Sequence, residues 1–211
     1  MASAKLRRVL NRDRLEADII AEAVRVFAEA GYEGASVATI AENVGLSKQN
    51  LMYYFPTKQA LYQRVLDEVL DNWLERMANL AAPDGEPAEV LRAYIGAKLA
   101  FSREHPLASR VYAMEVISGA PMYGEQIRER VVPLVRKDIE VFERWIAAGR
   151  IAPVNATHLL FAIWAMTQSY ADFAAQMHLV LGARELTATD FSDAEETISK
   201  LVIAALVPAA R

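Results

Sequence analysis

Residues 47–54 concentrate side chains that can hydrogen-bond to the base edges and phosphates of duplex DNA. Lys48 can reach a phosphate oxygen or a guanine edge, and the amides of Gln49 and Asn50 can donate to and accept from adenine. Two tyrosines at the end of the segment carry hydroxyls that suit phosphate oxygens. In an arbitrary polar segment the same residues would form only a solvated helix face behind a serine cap. The elements that position the segment decide between these interpretations.

Two short predicted helices position the segment 47–54. The first covers residues 37–44, with Ser36 as its N-cap, and the second follows the cap Ser47 after a tight turn at Gly45. Pro56 ends the second helix, because the residue before a proline is pushed out of the α region. This pair predicts a helix-turn-helix, whose second helix lies in the major groove. The predicted DNA contacts are Thr39, Ser47, Lys48, Gln49, Asn50, Tyr53, Tyr54 and Lys58.

Apolar residues follow a helical spacing nearly throughout the chain. A first helix with an apolar face over residues 15–30 should end at Gly31, and Leu51 and Phe55 should close a small core against it. The fold class expected is all-α, with about nine helices. The later helices are predicted over residues 58–80 (capped by Thr57), 88–104, 107–118, 122–148, 156–182 and 192–207, with a capping box at 192–195.

We therefore expect an N-terminal DNA-binding domain over residues 1–57 and a C-terminal effector-binding and dimerisation domain over residues 58–211. The helix at 58–80 would connect them. Residues 1–60 carry eight Lys or Arg against seven acids, and residues 61–211 carry fifteen against twenty. The bases of the first part gather in the N-terminal arm and near the predicted recognition helix, which is compatible with a basic footprint on one face.

Composition argues against several other classes of protein. There is no cysteine, so thiolate metal sites and cysteine nucleophiles are excluded. The three histidines show no metal-binding or catalytic spacing, and there is no glycine-rich phosphate loop. No catalytic residue, metal or cofactor is expected, so the chain is predicted not to be an enzyme. It carries no secretory signal pattern and no apolar run that could span a bilayer, which predicts a cytoplasmic protein without a membrane partner.

The run IAENVGLSKQNLMYYFPTKQAL over residues 40–61, preceded by AEAGYEGAS over 28–36, resembles the TetR family of bacterial transcription regulators. The resemblance is dense over residues 15–65. It implies a homodimer on a palindromic operator and a C-terminal helical domain that binds a small-molecule effector.

The predicted helix over 156–182 is apolar on nearly every side, which indicates burial all round. Together with residues 192–207 it could form a four-helix bundle between two copies of the chain. The alternative is an ordinary monomer core.

Polar groups within that apolar helix suggest a ligand site. Trp164 and Gln168 are four residues apart and share a face. An indole that stacks beside a carboxamide that donates and accepts would suit a small planar ligand with amide-like edges. Core packing is the alternative on these residues alone.

The runs ASRVYAMEVISGAP at 108–121, GRIAP at 149–153 and IWAMTQSYADF at 163–173 resemble the RutR-like branch of the family, which controls pyrimidine use and responds to uracil or thymine. By that resemblance, Trp164 and Gln168 match pyrimidine-contacting positions. Lys98, Phe101 and Glu115 are further candidates, as polar or aromatic residues on helices that should line the same cavity. The chain departs from that branch in the linker at 82–87 and after residue 181.

The function expected is a DNA-binding transcriptional regulator, as a repressor or dual regulator, whose operator affinity is set by a pyrimidine base such as uracil or thymine. One alternative is a regulator of the same type that responds to a different planar or hydrophobic ligand. An alternative of another class is an architectural DNA-binding protein without an effector.

Overall fold

The computed structural model describes the backbone of residues 2–77 and 85–206, and the side chains of these residues except 2–11 and Met77. Within these ranges every regular element is helical, which confirms the all-α prediction. The helices are α1 (Ala2–Gly34), α2 (Val37–Asn43), α3 (Lys48–Tyr54), α4 (Lys58–Met77), α5 (Pro87–Glu104), α6 (Pro106–Ile117), α7 (Gly124–Gln126), a π-helical turn (Ile127–Val131), α8 (Val132–Ala147), α9 (Ala156–Asp172), α10 (Ala174–Leu181) and α11 (Ala188–Leu206).

The predicted glycine stop and serine N-caps of the first three helices are confirmed. Gly31 interrupts α1 with a φ of 69°, a left-handed conformation that glycine adopts without steric cost. The hydroxyls of Ser36 and Ser47 cap α2 and α3 by accepting from the backbone N–H groups of Thr39 and Asn50. These caps fix where the recognition helix begins.

The prediction of one helix over residues 122–148 is wrong in one respect: the chain is helical without a break from Gly124 to Ala147, but five of these residues form a π-helical turn. Regular α-helix begins at Gly124, gives way to the π-helical turn, and resumes in α8. Pro133 is the second residue after that turn. A proline has no N–H for an α-helical hydrogen bond and its ring clashes with the carbonyl four residues back, so a wider turn relieves both conflicts.

The predicted helix over 156–182 is also wrong, because it breaks at Phe173 into α9 and α10. Phe173 has a φ of −112° and a ψ of 21° and is exposed. Neither glycine nor proline marks this position, so local sequence rules give no sign of the break.

The last helix starts earlier than residue 192. Its N-terminal turn is closed by Thr187 and Asp190, whose side chains accept from each other's backbone N–H groups at 3.2 and 2.6 Å. This reciprocal arrangement is a capping box. The capping box predicted at 192–195 is therefore wrong, because those residues lie inside α11 and residues 187–190 form the box instead.

The chain divides into two compact units. The first contains residues 1–70 together with 110–123, and the second contains 71–109 together with 124–211. Helices α1 to α3 thus belong to one unit with the end of α6 and the loop that follows it.

The second unit is built on α5, which packs against both α9 and α11. Its apolar core includes the fully or almost fully buried side chains of Leu91, Ile95, Leu160, Ile163, Ile198 and Val202. None of the helices in the described ranges is both long enough and apolar enough to cross a membrane.

Candidate DNA-binding surface and effector site

The outer face of α3 is open and polar. Lys48, Gln49 and Asn50 are exposed, and the Tyr53 side chain is 77% exposed, while Tyr54 is half-buried with its ring 5.7 Å from that of Tyr53. Large aromatic side chains are rarely left this exposed without a partner. The face presents one ammonium, two amides and two phenols, the groups that read base edges and hold phosphates.

The inner face of α3 is anchored in apolar packing. Leu51 is fully buried and Phe55 nearly so, in the same unit as buried Phe27 and Ile40. This packing fixes the rotation of the helix, so that its polar residues face outward. The predicted small core behind the recognition helix is confirmed.

The remaining three predicted contacts are Thr39, Ser47 and Lys58. Ser47 is the exposed N-cap of α3. Thr39 is exposed on α2. Lys58 is half-buried, donates to the Glu33 carbonyl oxygen at 3.1 Å and lies 4.7 Å from the ring centroid of Tyr32. Its ammonium therefore ties the start of α4 to the end of α1 as well as adding positive charge.

A buried carboxylate joins α4 to the end of α6 within the first unit. Glu115 is 4% exposed and accepts from the Tyr62 hydroxyl at 3.2 Å and from the backbone N–H groups of Met122 and Tyr123 at 2.7 and 3.0 Å. The Tyr62 ring packs at 4.9 Å against both Phe27 and Tyr32 of α1. Glu115 was predicted to line an effector cavity, and in the structure its oxygens serve this internal network.

A lysine lies within an aromatic cluster in the second unit. Lys98 on α5 is only 2% exposed, and its Nζ lies 4.9, 5.7 and 5.9 Å from the ring centroids of Trp73, Trp164 and Tyr94. Among the described residues no side chain or carbonyl accepts a hydrogen bond from this ammonium. Burial lowers the pKa of Lys98 to about 7, although the negative charge of Asp172 opposes that effect.

Trp164 is oriented by a hydrogen bond. Its indole N–H donates to the Tyr94 hydroxyl at 2.7 Å, and its ring lies 6.2 and 5.6 Å from the rings of Trp73 and Phe161. Burial raises the pKa of Tyr94, and the nearby carboxylate of Asp138 raises it further. Burial also raises the pKa of the Asp138 carboxyl to about 6.

The structure brings together some of the predicted effector residues. Trp164 and Lys98 belong to one cluster. Gln168 is half-buried one turn beyond Trp164 on α9, and Phe101 is buried one turn beyond Lys98 on α5, where its ring lies 5.2 Å from that of His105.

Sequence reasoning missed the roles of Trp73, Tyr94 and Asp138. The spacing of Tyr94 and Lys98, four residues apart on one helix face, is a signal that could have linked them. Trp73 lies within the helix predicted over residues 58–80 without a role of its own there, and nothing local marks the half-buried Asp138.

The chain matches two family models, which together cover residues 19–209. Residues 19–65 match the model described as bacterial regulatory proteins of the tetR family, and residues 66–209 match the C-terminal region of YcdC-like proteins. The chain is 37% identical over 190 residues to the HTH-type transcriptional regulator RutR of Escherichia coli K12, covering 90% of this chain and 89% of RutR. It is 30% identical over 145 residues to the repressor AcnR of Corynebacterium diphtheriae, covering 67% of this chain and 72% of AcnR.

Solved structures share the fold. AibR in complex with isovaleryl coenzyme A and operator DNA aligns with a TM-score of 0.69 at 18% identity, covering 89% of this chain and 97% of AibR. A tetR-family regulatory protein from Rhodococcus RHA1 aligns with a TM-score of 0.73 at 20% identity, covering 93% of this chain and 98% of the Rhodococcus chain.

These matches cover the helix-turn-helix head and the helical C-terminal part alike. They confirm the prediction of a regulator rather than an enzyme. The chain belongs to the TetR family of bacterial DNA-binding transcriptional regulators.

Proposed function

We propose that this regulator releases or gains its operator in response to a pyrimidine base such as uracil or thymine, bound beside Lys98 and Trp164. The observation that carries the proposal is the buried ammonium that has aromatic faces around it and no hydrogen-bond acceptor among the described residues. A ring carbonyl oxygen would supply that acceptor.

The other residues of the proposed site supply what a planar base needs. The Trp164 ring can stack on the base, and the Gln168 carboxamide can donate to a carbonyl and accept from a ring N–H. Phe101 would complete an apolar wall. The 37% identity to RutR supports a ligand of this class, since the resembling runs include the segment that holds Trp164 and Gln168.

The operator would be read by α3. We propose that Gln49 and Asn50 contact bases, that Lys48 contacts a guanine or a phosphate, and that the tyrosines and Lys58 contact the backbone. Thr39 and Ser47 would add contacts at the helix starts. A palindromic operator places two such helices about 34–36 Å apart, so a ligand-induced change of that spacing in a dimer weakens binding.

A titration tests the effector. Uracil at 1 mM should stabilise the wild-type protein by about 4 kcal/mol if its Kd is micromolar. Gln168→Ala should lose most of this stabilisation, because the amide hydrogen bonds to the base disappear, whereas Gln59→Ala, at an exposed position of the first unit, should retain it. Calorimetry with and without operator DNA should give ligand affinities that differ by the same factor as the DNA affinities. Equal ligand affinity in both conditions would exclude the coupling.

We further propose that two copies associate through α9, α10 and α11. These helices expose large apolar side chains in the single chain, and Leu179 and Leu201 are 84% and 61% exposed. A cleft of about 590 Å³ lies between Tyr170 and Phe173 on one side and Ala194 on the other. Apolar surface of this extent is typical of an interface rather than of a solvent-facing surface.

A charge placed in this surface tests the dimer. Leu201→Glu should convert the protein from dimer to monomer in sedimentation velocity runs, because an unpaired carboxylate would be buried between the copies. Leu134→Glu on α8, also at an exposed leucine, should leave the dimer intact. A Leu201→Glu protein that remains dimeric at micromolar concentration would exclude this interface.

A further inference from the structure

The buried cluster around Lys98 contains hydrogen-bond donors that lack acceptors. Lys98 is 2% exposed and carries three N–H groups, for which no described residue supplies an acceptor. Tyr94, one turn away on α5, is also buried, and its hydroxyl oxygen accepts from the indole of Trp164 at 2.7 Å. Among the described residues nothing accepts the proton of that hydroxyl. The cluster therefore presents an ammonium and a phenol that can both donate to a ligand.

The carboxylates near this cluster do not neutralise the ammonium by direct contact. The charge of Asp172 acts on Lys98, but the two side chains form no ion pair, and Asp172 accepts from the Ser109 hydroxyl at 2.7 Å. The charge of Asp138 acts on Tyr94, and no hydrogen bond joins these two side chains. The aromatic rings around Lys98 attract a cation, but they carry no net charge to balance it.

A neutral pyrimidine base suits this set of donors only in part. Its carbonyl oxygens can accept, but the ring also brings two N–H donors of its own. The half-buried Gln168 carboxamide oxygen can accept from one of them. The second N–H would be buried without an acceptor. Loss of its proton removes that donor and leaves a negative charge that spreads over the ring nitrogen and the carbonyl oxygens beside it.

We propose that the effector site binds its heterocycle as the anion, with one ring N–H deprotonated and the Lys98 ammonium as the counter-ion. The inference rests on the proposed function, because it concerns the form of the same ligand. A neutral ligand gives its ring proton to the Lys98 amine, or to solvent where Lys98 is already an ammonium. Charge-assisted hydrogen bonds from Lys98 and from the Tyr94 hydroxyl then hold the anion.

The environment of Lys98 suits it to receive that proton. Burial lowers the pKa of Lys98 to about 7, so that part of the lysine is neutral at pH 7 before the ligand binds. The bound pair is one anion and one ammonium whichever group held the proton first. A ligand whose ring N–H is more acidic loses less free energy in forming this pair and should bind more tightly.

Three analogues of nearly equal size test the anion. Uracil, 5-fluorouracil and 6-azauracil keep both carbonyls and both ring N–H groups, and their N–H acidity increases in that order. Isothermal titration calorimetry of the wild-type protein at pH 7 gives the Kd of each ligand. Repeating the titrations in phosphate and in Tris, which differ in ionisation enthalpy, gives the number of protons that binding releases or takes up.

We expect 6-azauracil to bind about tenfold more tightly than uracil, with 5-fluorouracil between them, because the charge-assisted hydrogen bonds to the anion are about twice as strong as neutral ones. Uracil should release protons on binding, since its ring proton replaces the one missing from neutral lysine and the remainder goes to solvent. Lys98→Met should lose the tighter binding of 6-azauracil. Lys137→Met, at an exposed position of α8, should bind all three ligands as the wild type does.

Equal affinity across the series, or proton uptake when uracil binds, would overturn the anion and leave the proposed function standing. Proton uptake would mean that the lysine becomes fully charged beside a neutral base, whose second N–H is then accepted by a carboxylate such as that of Asp138. If none of the three ligands binds, the proposed function fails and this inference fails with it.

Discussion

Lys98→Met should make the protein more stable and, at the same time, unable to respond to a pyrimidine. The wild-type chain buries an ammonium that no described residue accepts from, whereas methionine fills a similar volume without charge. Replacing a buried charge by an apolar side chain of like size gains about 1–4 kcal/mol in other proteins. The ligand carbonyl would lose its donor, so uracil should no longer stabilise the variant.

The stability that Lys98→Met gains over the wild type should decrease as the pH rises. Burial lowers the pKa of Lys98 from 10.5 to about 7, so between these values the unfolded chain binds a proton that the folded protein does not. The free energy of unfolding of the wild type should therefore rise with pH across this window, by up to about 1.4 kcal/mol per pH unit. Below pH 7 the lysine is charged in both states and its destabilising effect is complete.

Urea unfolding from pH 6 to 9 measures both effects. The difference between Lys98→Met and the wild type should be greatest at pH 6 and should shrink towards pH 9. Lys137→Met, at an exposed position of α8, should differ from the wild type by less than about 0.5 kcal/mol at every pH. A Lys98→Met protein that is less stable at pH 6 would mean that the aromatic rings and Asp172 stabilise the ammonium by more than its burial costs.

Glu115→Ala should have the opposite effect on stability. It leaves the Tyr62 hydroxyl and the backbone N–H groups of Met122 and Tyr123 buried without their acceptor, which should lower the free energy of unfolding by about 3 kcal/mol. Glu115→Gln keeps an oxygen for the two N–H groups, so its cost should be about 1 kcal/mol. Urea unfolding at pH 7 measures the free energy of unfolding of both variants.

The pair with Tyr62 can be isolated by a double-mutant cycle. Tyr62→Phe combined with Glu115→Ala should cost less than the two single changes added together, because both remove the same hydrogen bond. Glu140→Ala, at an exposed position of α8, should change stability by less than about 0.5 kcal/mol. Additive costs in the cycle would mean that this contact contributes little to the first unit.

The DNA-binding head could be predicted from sequence in detail because its signals are local. Ser36 and Ser47 each bond to a backbone group three residues away, and Gly31 interrupts its helix through its own φ. The break at Phe173 and the environment of Lys98 depend instead on residues far along the chain. Trp73 and Trp164 flank that lysine from other helices, and no short-range rule connects them.

Glu115 illustrates the same difference. Glu115 was predicted to line an effector cavity, as a polar residue on a helix expected to face it. It is buried, and a buried charge requires partners. Its partners are a tyrosine more than fifty residues earlier and a loop that follows the helix. Only the folded chain reveals that the carboxylate closes an internal network.

The discontinuity of the first unit limits how this regulator can be recombined with its relatives. Residues 110–123 are part of the unit that contains helices α1 to α3, although they lie far from these helices in the sequence. A chimera joined at residue 70 would place Tyr62 opposite a foreign segment in place of the one that holds Glu115. Sensors made by grafting this head onto another ligand-binding domain should therefore import residues 110–123 with it, as a second insert.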